Sequence, residues 1–176
     1  YSQALSACNE ILMLFPEDLE TLQQMVGIYV LRGDVRGALT QCRRILDYHL
    51  ARHDEGSAET VLQRMIELDP AQPSLRREKI ELLRRQGKSE PMVLELQTLA
   101  EFYRQNELMN KAIEVWREIL RIEPDHRQAH RQLIDSYLQR GQTPEAAAQY
   151  LELAEAWQAR DRAFAGQCFQ GVGGKR

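Results

Sequence analysis

Three prolines and three glycines recur at one fixed interval. Pro16, Pro70 and Pro124 stand 54 residues apart, and so do Gly33, Gly87 and Gly141. These are the two residue types that punctuate helices, so a constant interval between them constrains the fold more than any overall composition. It marks stacked supersecondary units that bury their apolar faces against neighbouring copies rather than around one central core. Units counted from each proline run 16–69, 70–123 and 124–176, and residues 1–15 match the end of a preceding unit. The chain reads as a single repeat domain over 1–176.

Superposed in this way, apolar residues fall into shared columns: Val26, Ile80 and Ile134; Tyr29, Leu83 and Tyr137; Ile45, Leu99 and Leu153. Those columns are the predicted core. Within a unit the apolar positions step by three and four, as amphipathic helices require. The spacing predicts helices over 3–14, 19–32, 36–53, 57–68, 74–86, 90–106, 109–121, 127–140, 144–159 and 162–169. No strand signal interrupts them, and the wealth of Ala, Leu, Glu, Gln and Arg suits an all-α chain. Gly33, Gly87 and Gly141 fall just past the first helix of each unit, where glycine can take the left-handed conformation that closes a helix. The three prolines follow the third helix, which they cannot continue.

The stretch 96–124 carries Leu96, Leu99, Ala100 and Tyr103, then Ala112, Trp116 and Pro124. This spacing resembles the tetratricopeptide repeat: a large residue, a Leu-Gly-like pair and a Tyr, then Ala, an aromatic and Pro. Cys42, Ile45, Leu46, His49, Ala58, Leu62 and Pro70 repeat it with weaker side chains, and Ala4, Cys8 and Pro16 are the tail of another copy. Leu22, Met25, Val26, Tyr29, Ala38 and Cys42 form a further set, as do His130, Leu133, Ile134, Tyr137, Ala146 and Tyr150. The frames overlap, so the second helix of one hairpin is also the first of the next. Small residues at 38, 58, 112 and 146 let helices approach closely, while Tyr29, Tyr103, Tyr137 and Trp157 fill the gaps with rings. The resemblance implies a right-handed superhelical solenoid of antiparallel hairpins, about ten helices, cut from a longer bacterial-type array. Its C-terminal copy departs from the pattern: Ala165 and Phe169 fit only if one residue is lost before them, so the last helix is expected to pack poorly or to await a missing neighbour.

Charge and cysteine content narrow the function classes. With 23 basic and 26 acidic side chains the net charge is −3, too balanced to argue for a nucleic-acid or membrane-surface partner. No apolar run approaches the roughly 20 residues that span a bilayer. The odd set Cys8, Cys42 and Cys168 sits in apolar helical patterns and reads as buried thiols in a reducing, cytoplasmic setting. The chain starts at Tyr1 and ends GVGGKR, which suggests a piece of something longer.

Candidate chemistry is sparse. His49 with His53, and His126 with His130, have metal-gripping i to i+4 spacing but no third ligand at a supporting distance. RRQGKS around Gly87 resembles the end of a phosphate loop, yet Leu82 stands where its first glycine belongs. No Ser or Cys has a partner His at nucleophile spacing. Arg76, Arg77, Lys79, Arg84, Arg85 and Lys88 form the densest basic stretch, interleaved with Glu78 and Glu81 as on a solvated face. No enzyme activity, metal or cofactor is expected.

What remains is surface. The resemblance implies that first helices line a concave groove, mapped onto Gln23 in the first unit, Arg77, Glu81 and Arg84 in the second, and Arg131 and Asp135 in the third. The carboxylate clamp of chaperone-binding relatives is absent, since Gln23 with Gly27, Gln97 with Glu101 and Arg131 with Asp135 occupy its places. The expected function is a scaffold that holds a protein or peptide, with a sensor or spacer arm of a larger regulatory protein as the alternative and a metal-binding or enzymatic module on the histidine pairs ranked behind both. End-to-end self-association is a further expectation, from apolar surface on the terminal helices.

Overall fold

The computed structural model describes the backbone of residues 1–173 and the side chains of residues 1–159. Every regular element described is an α-helix: α1 (Ser2–Leu14), α2 (Leu19–Leu31), α3 (Val35–Ala51), α4 (Glu55–Leu68), α5 (Pro73–Arg85), α6 (Ser89–Gln105), α7 (Met109–Ile122), α8 (Arg127–Gln139) and α9 (Thr143–Gly173). Two compact units divide the chain, Tyr1–Lys88 and Ser89–Arg176.

In the first unit α1 packs on α2, α2 on α3, α3 on α4 and α4 on α5; in the second α6 packs on α7, α7 on α8 and α8 on α9. Short turns between these partners leave only antiparallel neighbours, so each unit is a run of antiparallel helical hairpins. The long helix α3 has partners on both sides, as overlapping frames require. Its Ala38, Cys42, Ile45 and Leu46 are buried among Leu22, Met25 and Val26 of α2 and Ala58, Leu62 and Met65 of α4. In the second unit Leu96, Leu99 and Ala100 of α6 are buried, as are Ala112, Val115 and Ile119 of α7 and Leu133 of α8. The small residues Ala38, Ala58, Ala112 and Ala146 are all buried. One close approach had no sequence counterpart: a Cβ at Gly37 would sit 2.5 Å from the Tyr29 ring.

Helix ends repeat as faithfully as the core. Gly33, Gly87 and Gly141 take φ of 71°, 68° and 70°. After each, the next amide reaches back to close the helix: Asp34 N–H donates to the Tyr29 carbonyl, Lys88 to Leu83 and Gln142 to Tyr137. This is the left-handed closure that satisfies orphan carbonyls. The same closure ends α3 and α6 at His53 (φ 56°) and Glu107 (φ 60°), where no glycine announces it. Aspartates open the following helices. Asp18, Asp34 and Asp54 accept from the amides of Thr21, Gly37 and Ser57, which satisfies donors the helix cannot.

The expected count of ten helices is corrected to nine among the described residues. The helices predicted over 144–159 and 162–169 are one continuous α9, because Ala159, Arg160, Asp161 and Arg162 include neither Gly nor Pro to break it. The packing expectation for Ala165, Cys168 and Phe169 falls outside the described side chains. Trp157 is also corrected: it keeps 40% exposure, with the Arg127 guanidinium 4.0 Å over its ring, rather than filling an interhelical gap. Tyr103 and Tyr137 are buried as expected.

Candidate functional site

The groove residues named from sequence lie on three helices. Gln23 is exposed on α2, while α5 carries half-buried Arg77 and exposed Glu81 and Arg84. Arg131 and Asp135 are exposed on α8. Local geometry ties them in pairs, Arg84 to Glu81 and Arg131 to Asp135 at 3.9 Å. Such exposed pairs hold a side chain in place at a gain of about 0–1 kcal/mol, so a ligand carboxylate can replace the partner.

Two of the clefts lie at places that the repeat makes equivalent. In the first unit a cleft of about 450 Å³ is lined by Arg36, Leu39, Thr40, Arg43 and Gln72, with Met65 and Leu75 as its apolar floor. In the second unit a cleft of about 470 Å³ is lined by Glu90, Val93, Leu94, Gln97 and His126, which follow those first five positions by 54 residues each. Both clefts form where a long middle helix, α3 or α6, faces the turn into the helix two further on. The rims have opposite charge. Arg36, Arg43 and Arg44 line the first, Glu90 and Glu123 the second.

The floors differ too. In the first unit Arg43 reaches from α3 to α5 and donates through both terminal nitrogens to Glu78, one bond being 3.0 Å. The hydrogen bond to Glu78 holds the Arg43 guanidinium above its ordinary range, despite partial burial. The equivalent positions in the second unit are Gln97 and Gln132. With no ion pair between them, these two amides line an inner pocket of about 110 Å³, over Trp116, Ile119 and Ala129. Glu101 and Gln128 stand at its edge. Glu101 is bound by Arg104, which with a bond from Gln105 keeps its carboxyl below the usual carboxylate range.

Gln97 and His126 belong to both the cleft and the inner pocket. His126 Nδ1 accepts from the Ala129 amide at 3.1 Å and so caps α8. The ring's other nitrogen, Nε2, lies against the side-chain amide nitrogen of Gln97. His130 is buried, with Nε2 donating to the Pro124 carbonyl at 2.8 Å. His49 Nδ1 meets Asp54 at 3.1 Å, and His53 sits in the left-handed turn after α3. Among the described residues, no three His, Cys, Asp or Glu side chains gather as a metal site. Cys8 and Cys42 are buried and free, and burial pushes the Cys42 thiol up against a weaker opposing pull from Arg64.

From sequence, Gln97 and Glu101 mark only places where the carboxylate clamp is absent and His126 only half of a histidine pair, while Glu90 and Glu123 carry no signal of their own. The signal was in the superposition: reading Arg36 over Glu90, and Arg43 with Glu78 over Gln97 with Gln132, exposes the charge reversal. No described helix is long and apolar enough to cross a membrane.

No protein-family model matches the chain, and no curated protein matches it. Among solved structures, the chain is similar to a crystal structure of MamA protein, at 15% identity over 84% of this chain and 96% of that one, with a TM-score of 0.35. It is similar to MamA of Desulfovibrio magneticus RS-1, at 15% identity over 81% and 97%, TM-score 0.34. It is also similar to Pseudomonas aeruginosa PilF, at 13% identity over 78% and 76%, TM-score 0.32. At scores this low these likenesses bear on neither partner nor chemistry.

Proposed function

We propose that the chain is a non-catalytic protein-interaction scaffold. The observation that carries this reading is the recurrence of an open, charged cleft at the same place in successive repeats. The apolar columns are consumed in packing helix on helix, so variation between repeats is left to the rims, and the rims differ in charge while the cores do not. A preformed surface of this kind binds through a few anchors rather than total area. In the first unit the anchors are Arg77 and Arg84 of α5, with Glu81 on the same helix and Gln23 on α2, and in the second Arg131 of α8 with Asp135; each set takes an acidic or extended segment of a partner protein.

The test is affinity capture with the tagged chain, followed by the triple variant Arg77→Ala, Arg84→Ala, Arg131→Ala. Loss of at least about tenfold in affinity for the captured protein is expected, since each tenfold is only about 1.4 kcal/mol. Unchanged binding by the triple variant removes these arginines as anchors.

A further inference from the structure

We propose that the cleft of the second unit receives a lysine or arginine side chain from a partner protein, presented next to an apolar residue. This rests on the scaffold reading and assigns a chemistry to one part of its surface.

The first unit supplies the precedent. There the chain lays its own Arg43 across from α3 to α5, its guanidinium fixed by Glu78. In the second unit the position of Arg43 is taken by Gln97, shorter and uncharged, and the side chain turns aside to His126. The place filled internally by a cation in one repeat is thus left as an inner pocket of about 110 Å³ in the next.

The surroundings suit a cation from outside. Glu90 stands in the first turn of α6 and Glu123 caps the end of α7, and both line the cleft. Among the described residues neither makes an ion pair, and no Lys or Arg lines the cleft or the inner pocket. The nearby Arg104, Arg131 and Arg127 are engaged with Glu101, Asp135 and the Trp157 ring. His126 is held in place through Nδ1, which accepts from the Ala129 amide at the start of α8. The positive ends of α6 and α8 also open here, but a helix end carries about half a charge, and two whole carboxylates outweigh it.

Shape agrees with charge. Lysine and arginine bury a long apolar stem while keeping the charged head among polar groups. Val93 and Leu94 offer such a wall, and Leu94 is 63% exposed with room for a neighbouring apolar residue of the partner. Deeper in, the amides of Gln97, Gln128 and Gln132 can accept from the head group above the Trp116 ring.

The experiment uses a fluorescein-labelled peptide with a central Leu-Arg in Gly-Ser flanks, a second with Leu-Glu, and anisotropy against the intact chain. The Leu-Arg peptide is expected to bind, and Glu90→Gln with Glu123→Gln to weaken it about tenfold or more. A second variant, Gln97→Arg with Gln132→Glu, transplants the ion pair of the first unit and is expected to abolish binding with the thermal melt unchanged. No binding of Leu-Arg at about 1 mM, a level reached by contacts worth only about 4 kcal/mol, overturns the assignment, as does binding indifferent to both variants. Binding of Leu-Glu alone, lost in the variant lacking Arg77, Arg84 and Arg131, also overturns it while leaving the scaffold reading intact.

Discussion

His53 and Glu107 hold the left-handed position at the ends of α3 and α6, 54 residues apart. An L-residue there costs about 1–2 kcal/mol relative to the right-handed region. Glycine avoids that cost but gives back about 0.5–1 kcal/mol through the greater freedom of the unfolded chain. His53→Gly and Glu107→Gly are each therefore expected to raise stability by about 0.5–1 kcal/mol, read as a higher urea midpoint; an unmoved or lower midpoint refutes this. Gly33, Gly87 and Gly141 advertise the same conformation in sequence, whereas a His and a Glu give no such sign. Closure at these two places is set by the helix contacts on either side, not by the residue in the turn. Gly37 is silent for the opposite reason, since its missing side chain matters because the Tyr29 ring and the Asp34 carboxylate lie against it.

Three helices, α2, α3 and α4, begin on aspartate caps, and this gives those elements a pH dependence. Hydrogen bonds to Thr21 hold the Asp18 carboxyl below its ordinary range, and bonds to Ser57 do the same for Asp54. A carboxyl lowered in the folded state contributes stability that is present above its unfolded value, about 3.9, and is lost as pH falls through the folded value. The urea midpoint is expected to fall between about pH 6 and about pH 3, and to fall less in Asp18→Asn with Asp54→Asn, because asparagine caps a helix without titrating. An equal fall in the double variant would show that these caps are not the groups responsible. At this scale most of the fold was legible: helix bounds from α1 to α8 lie within two residues of those read from spacing. The exception, α9, came from carrying the repeat past the point where the chain supplies a breaker.

Over the whole molecule, each repeat leaves apolar side chains that its sequence neighbours do not cover. Met13, Leu14 and Phe15 at the end of α1 are 81%, 76% and 64% exposed, and Leu151 of α9 is 67% exposed. Exposed apolar groups of this size promote association. Light scattering on the chain is expected to show mass rising with concentration, and Leu14→Lys with Leu151→Lys to return it toward the monomer. A strict monomer at high concentration would end this expectation.

Sequence alone determined the repeat, the helices, their closing glycines and the columns that become core, because all of these depend on local spacing that a chain carries wherever it goes. Tertiary structure decided which surface is concave. The two clefts arise where α3 approaches the turn into α5, and α6 the turn into α8, across a third helix in each case. Only that approach turns Arg43 and Glu78 into a bridge, and Gln97 and Gln132 into the walls of a pocket. A substitution of one amide for one guanidinium reads as a minor change along the chain. Across the gap between two helices it is the difference between a filled site and an open one.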